Sequence, residues 1–168
     1  MTKVYLSIGT NLGDRLANLQ EAVVRLAADF DVLGVSKVYE TEPVGLVIQD
    51  DFYNITLVLE VAKEVTPEQL LDKTQAIEKA MKRVKTVHWG PRTIDLDILL
   101  FGGVNLTSER LSIPHRELAN RRFVLQPLLD VAEQISDDRV VTLSEQLLQT
   151  TSDENWVRAT PYQLTIPE

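Results

Sequence analysis

The sequence predicts an α+β fold built in the order strand, helix, strand, strand, helix, strand. Three observations predict it. Four segments, near residues 3–8, 32–41, 53–61 and 93–101, are β-branched or alternately apolar, as strands are. Two stretches between them, Asp14 to Phe30 and Thr66 to the Arg83–Lys85 region, repeat apolar residues at helical spacing. Gly, Asn, Pro and Asp gather at the junctions, where turns need them.

Taken in order, residues 3–8 (KVYLSI) form the first strand, and the Gly/Asn-rich turn GTNLGD follows. Leu16, Leu19, Val23, Leu26, Ala27 and Phe30 then mark one face of a helix beginning at Asp14. Residues 32–41 are the second strand, and Pro43 and Gly45 open a long loop before the third. In residues 53–61, Ile55, Leu57, Leu59 and Val61 share one face, with Asn54, Thr56, Val58 and Glu60 on the other. Thr66-Pro67-Glu68-Gln69 is a capping box with proline in the first turn. Leu70, Leu71, Thr74, Ile77, Met81 and Val84 are the stripe of that second helix. Thr93–Phe101 is the fourth strand, closed by Gly102-Gly103, with Leu96, Ile98 and Leu100 turned to the core. This order is the split βαβ pattern of a ferredoxin-like (βαββαβ) antiparallel sheet with helices packed on it. Residues 104–168 add a small hairpin, short helices and a strand-like piece over residues 156–165.

The 168 residues fit a single domain, 1–168, able to bury its own core. With 44% hydrophobic and 25% charged residues the composition is that of an ordinary globular protein. The absence of cysteine excludes a disulfide scaffold, a thiolate metal site and a cysteine nucleophile. The N-terminus lacks the apolar stretch of about 7–15 residues that marks a signal peptide. No run reaches the roughly 18 apolar residues of a membrane span. The expected compartment is the cytoplasm, with no membrane partner. A net charge of −8 argues against a nucleic-acid partner. Residues 83–122 are the exception, with seven Lys/Arg against four acids, a local cationic stretch suited to a small anionic ligand.

Asp95-Leu96-Asp97 stands inside that stretch. Side chains alternate along a strand, so the two carboxylates share a face and repel. A hard divalent cation such as Mg²⁺, which takes one or two carboxylates plus phosphate oxygens, relieves the conflict. Solvated acids, or acids paired with nearby arginines, give the same pattern. Upstream lies His88-Trp89-Gly90-Pro91-Arg92, which sets a planar guanidinium three residues before Asp95. The other histidine, His115, follows Ile113-Pro114 and precedes Arg116, Arg121, Arg122 and Phe123. A histidine donates to phosphate, acts as an acid, or simply caps. Gly9-Thr10-Asn11-Leu12-Gly13 lacks the spacing and lysine of a phosphate loop, which leaves phosphate binding to metal and arginine. Gly9 instead lets a flat ligand approach the backbone. Asn54, near Thr41, offers a donor and an acceptor to an amide-like ring edge, and Phe52 and Phe123 offer faces to stack on it.

These residues resemble the 6-hydroxymethyl-7,8-dihydropterin pyrophosphokinase family of folate synthesis. The matching segments run in order over residues 5–132: YLSIGTNLGDR, YETEPVG, DDFYN, TQAIE, WGPRTIDLDILLFG, LSIPHREL and NRRFVLQPL. The resemblance implies transfer of the β,γ-diphosphate of ATP to the pterin hydroxymethyl, giving AMP. It implies two Mg²⁺ ions on Asp95 and Asp97, with Arg83 and Arg92 as catalytic cations. It places ATP near Gln75, Glu78, Lys85, Trp89, Arg92, Ile98, Arg110, Ser112, His115, Arg116 and Arg121. It places the pterin near Gly9, Thr41, Glu42, Pro43, Val44, Phe52, Asn54, Trp89, Asp95 and Phe123. In the loop before Trp89, Lys85 and His88 stand where the family often has arginine. A metal-dependent nucleotidyltransferase and a ligand-sensing domain are the other readings of a D-x-D on such a sheet. The first would release pyrophosphate instead of AMP, and the second would turn over no ATP.

Overall fold

The computed structural model describes residues 1–43, 49–81 and 93–168. The first strand, β1 (Thr2–Thr10), is buried from Val4 onward, because partners flank it on both edges and helices cover both faces. Helix α1 (Arg15–Asp29) starts where the Asp14 carboxylate accepts from the Ala17 N–H at 3.1 Å, and it buries Leu19, Ala22, Val23 and Leu26. Helix α2 (Pro67–Met81) carries the predicted capping box: Thr66 Oγ1 accepts from Gln69 N at 3.2 Å, and Gln69 Oε1 accepts from Thr66 N at 2.9 Å.

The segment predicted as one strand over residues 32–41 is two, β2 (Asp31–Val35) and β3 (Tyr39–Thr41). Both pair with β4 (Phe52–Val61). Between them the Ser36 hydroxyl accepts from Thr56 N at 3.0 Å and donates to Lys37 O at 2.8 Å, and Lys37 N turns away to Asp130 at 2.9 Å. Ser36 N still donates to Thr56 O at 2.9 Å, but Lys37 N and Val38 N bond away from β4, to Asp130 and Tyr162 O, which ends β2 there. Strand β5 is Asp95–Phe101, shorter than the predicted 93–101. Beyond it come a hairpin of β6 (Leu106–Thr107) and β7 (Ser112–Ile113), then α3 (Arg122–Gln134), α4 (Asp138–Thr150) and β8 (Val157–Ala159). The two helices are 13 residues each, longer than expected, and β8 covers three residues of the predicted strand-like piece.

The large sheet is antiparallel in the order β5-β1-β4-β3-β8, with β2 alongside β3 on β4. One core lies between the sheet and α1 and α2, joining Leu6, Ile8, Leu57 and Ile98 to Leu19, Leu26, Leu70 and Ile77. A second lies between the opposite face and α3 and α4, joining Tyr5, Val58 and Leu99 to Leu125, Leu128 and Val140. A bulge in β5 shifts the register from Leu6–Ile98 to Tyr5–Leu100. Leu100 therefore turns to the α3–α4 core, away from the face of Leu96 and Ile98 on which the alternation predicts it. Among the described residues no helix is long and apolar enough to cross a membrane.

Candidate active site

Register across three strands builds the site. In one row Asp95 lies opposite Gly9, which lies opposite Asn54. In the next, Asp97 lies opposite Ser7, which lies opposite Thr56. Directly paired residues point the same way, so both aspartates stand on the face of Ser7, Gly9, Asn54 and Thr56. Their Cβ atoms are about 7 Å apart, two strand residues on. Asp97 is exposed and Asp95 is half-buried. Among the described residues no group of three or more His, Cys, Asp or Glu comes together as a metal cage. Two carboxylates beside an open cleft instead fit Mg²⁺, which completes its shell with phosphate oxygens and water.

Gly9, Thr41, Phe52 and Asn54 come together at this end of the sheet. Asn54 Nδ2 donates to Thr41 Oγ1 at 2.7 Å, with both side chains buried, and Phe52 lies opposite Thr41. Packing within the protein also favours glycine at position 9. The space it leaves is taken by the Asn54 carboxamide: a Cβ there would collide with Asn54 Oδ1 and come within 3.7 Å of Phe52. Glu42 follows β3 and its carboxylate accepts from Trp156 N at 3.0 Å, while Pro43 is half-buried beside it. Phe123 sits in the first turn of α3, half-buried, with the Arg121 guanidinium 5.6 Å from its ring.

A cleft of about 400 Å³ opens along β5 between α2 and the β6–β7 hairpin. Gln75, Glu78, Asp97, Ile98, Arg110, Ser112, His115 and Arg116 all line it. Arg110 crosses to α2, donating through Nη2 to Asp72 at 2.8 Å and to Gln75 at 3.2 Å. Arg116 Nη2 reaches the Ser112 hydroxyl at 3.5 Å. His115 Nδ1 accepts from the Glu117 N–H at 3.1 Å, which assigns the proton of the neutral ring to Nε2. Glu78 Oε2 accepts from Leu96 N at 2.9 Å. Arg121 is not among the lining residues. Val44, Arg83, Lys85, His88, Trp89 and Arg92 lie outside the described residues.

Several contributors are not singled out by residue type or spacing, although most lie within the matching segments. Ser108, Glu109, Leu111 and Glu117 line the cleft because the hairpin folds back on α2. Asn11 Nδ2 donates to Gln49 Oε1 at 2.9 Å and to Asp50 O at 2.8 Å, and Arg15 donates to Asp51 O at 2.9 Å from a place 3.8 Å off the Tyr53 ring. These bonds hold the approach to β4. Farther down the same sheet face, burial and then hydrogen-bonded carboxylates push two phenols well above their ordinary range: Tyr5 donates to Asp137 at 2.6 Å and Tyr39 to Asp130 at 3.0 Å.

A family model described as 7,8-dihydro-6-hydroxymethylpterin-pyrophosphokinase (HPPK) matches residues 5–133, a span holding both aspartates and all the cleft residues. The chain belongs to this family. It is 40% identical over 144 residues to a 2-amino-4-hydroxy-6-hydroxymethyldihydropteridine pyrophosphokinase of Bacillus subtilis, covering 84% of this chain and 85% of that one. The match to the enzyme of the same name from Haemophilus influenzae is 32% identical and covers 96% of this chain and all of that one. A bifunctional protein FolKE of Lactococcus lactis is 44% identical over 78% of this chain, and the chain spans only 38% of its length. Among solved structures, the HPPK-DHPS of Plasmodium falciparum with pteroate superposes with a TM-score of 0.63 at 18% identity. The match takes in 92% of this chain and 45% of that one, a likeness of HPPK-type fold.

Proposed function

We propose that this protein is an ATP-dependent diphosphotransferase of folate biosynthesis, acting on 6-hydroxymethyl-7,8-dihydropterin. Asp97 carries the reading, because it belongs at once to the paired-acid row of the sheet and to the lining of the cleft. That position lets a carboxylate work between a polyphosphate in the cleft and an acceptor above Asn54. The hydroxymethyl oxygen of the pterin bonds to the β-phosphorus, the bond to the α,β-bridging oxygen breaks, AMP leaves, and the hydroxyl proton passes to solvent. In such transfers the protein mainly positions groups and offsets charge.

Asp95 and Asp97 would hold two Mg²⁺ ions, which when bound would offset the triphosphate charge and polarise its oxygens. Gln75, Ile98, Arg110, Ser112, His115 and Arg116 hold the nucleotide, with Glu78 in the same wall and Arg121 beside Phe123. His115 offers Nε2–H to a phosphate oxygen. As the resemblance implies, Arg83, Lys85 and Arg92 would bring cations to the nucleotide, and Trp89 would contact it as well. On the acceptor side, Asn54 and Thr41 present hydrogen-bonding groups to the ring edge, Phe52 and Phe123 its stacking faces, and Glu42, Pro43 and Val44 the rim. The strand order supports a ferredoxin-like core within a single domain, to which α3, α4 and β8 are additions. The partners are ATP and the pterin, with no nucleic acid and no membrane, and the compartment is cytoplasmic. Incubation with ATP, Mg²⁺ and the reduced pterin tests the proposal: AMP and a pterin diphosphate are expected, and free pyrophosphate as the product overturns it.

A further inference from the structure

We propose that Glu78 is a positioning residue that fixes the spacing of the Asp95–Asp97 pair through the backbone between them. The inference rests on the metal site proposed above. Among the described residues, strand β5 is at the end of the sheet and pairs only with β1. Neighbouring N–H groups of an antiparallel strand alternate in direction, so the amide between the two aspartates points away from β1. That amide belongs to Leu96, and it is taken by Glu78 Oε2 at 2.9 Å. Asp95 and Asp97 flank it, and the direction of each carboxylate follows from the backbone torsions that this bond holds.

The choice of residue supports the role. Glu78 lies between buried Ile77 and Met81 on α2, half-buried in the cleft wall. What the role needs is an acceptor oxygen at this reach, which the Glu78 side chain supplies to Leu96 N at 2.9 Å. Leu96 and Ile98 pack beneath into the α1–α2 core, so the helix and the strand are joined both by that packing and by this bond. Glu78 thus does for the acidic pair what outer partners do for metal ligands generally, where their loss costs about 10–100-fold in metal affinity.

Three variants separate this role from direct contact with metal or nucleotide. E78Q keeps an acceptor oxygen at full reach without charge, E78D keeps the charge but withdraws the oxygen, and E78A removes both. Two readouts are taken: amide hydrogen exchange at Leu96 in the protein alone, and Mn²⁺ affinity by electron paramagnetic resonance with α,β-methylene-ATP bound. Glu78 as a positioning residue gives a Leu96 amide that exchanges at least ~10-fold faster in E78A and E78D, with Mn²⁺ affinity down ~10-fold or more, and both near wild type in E78Q. Mn²⁺ binding as weak in E78Q as in E78A, or unchanged Leu96 exchange in E78A, overturns it. Release of AMP by the wild-type protein is scored separately, so failure of the proposed reaction is not confused with failure of this role.

Discussion

Gly9 and Asn54 offer a sharp test of how the acceptor side is built. Gly9→Ala places a methyl group where Asn54 Oδ1 now lies. The carboxamide cannot simply step aside, because its Nδ2 is bonded to Thr41 Oγ1 at 2.7 Å and both side chains are buried. Overpacking of this kind costs about 1–3 kcal/mol. Breaking the Asn54–Thr41 bond adds about 1 kcal/mol or more, since buried partners are left unpaired. Against this, alanine stiffens the unfolded chain and returns about 0.4–1 kcal/mol. The net loss is about 2 kcal/mol, or about 4–8 °C in melting temperature for a chain of this size. Loss of one ring-edge hydrogen bond would raise the KM for the pterin about tenfold. Urea unfolding of G9A, N54A and the double variant closes the cycle. With Asn54 truncated the methyl group has room, so G9A should cost less than about 0.5 kcal/mol in that background. An equal cost of G9A with and without Asn54 would falsify this account of the packing.

Other predictions address the site, the helix start and pH. Asp95→Ala and Asp97→Ala should each lower AMP formation at least ~10²-fold, as removal of transition-state charge stabilisation does, and near wild-type turnover in either rejects the paired-acid site. Helix α3 has no side-chain cap of its own, and Asp153 accepts from Arg122 N at 2.8 Å instead. D153A should therefore cost about 1–2 kcal/mol by chemical denaturation, and no loss would mean that solvent serves as well. Tyr5 and Tyr39 titrate above their ordinary value of 10.0 in the folded state, first because they are buried and then because of Asp137 and Asp130. Their stabilisation is complete below pH 10 and is lost as pH rises beyond it, by up to about 1.4 kcal/mol per pH unit for each phenol. Y5F and Y39F should flatten the alkaline fall in stability, and an unchanged slope in the double variant counts against the phenols as its source.

Local rules made some elements readable and long-range contacts hid others. The capping box at Thr66 and the stripe of α2 announce themselves within a few residues, as does the alternation of β4. The break at residues 36–38 does not, because it depends on Asp130 and Tyr162, and alternation says nothing of where a strand changes partners. The same holds for Leu100, whose face is set by a bulge that only pairing with β1 creates. At the site, strand period alone put Asp95 and Asp97 side by side. The cleft was legible only through whole motifs, since Gln75, Arg110 and His115 meet by the folding of the hairpin onto α2. The bond from Trp156 N to Glu42 joins residues far apart in the chain, and neither has a local feature that names the other.

The position of β1 in the sheet bears on how the chain reaches its working form. Both of its neighbours, β4 and β5, come later in the chain, after α1 and α2 respectively. During synthesis β4 emerges first and can pair with Ser7 and Gly9 along one edge of β1, but the other edge must wait until Phe101 has left the ribosome. Contacts of such separation slow folding, because the intervening loops must close before the pairing repays them. Catalytic competence would thus arrive in one late event, when β5 docks against a strand made long before.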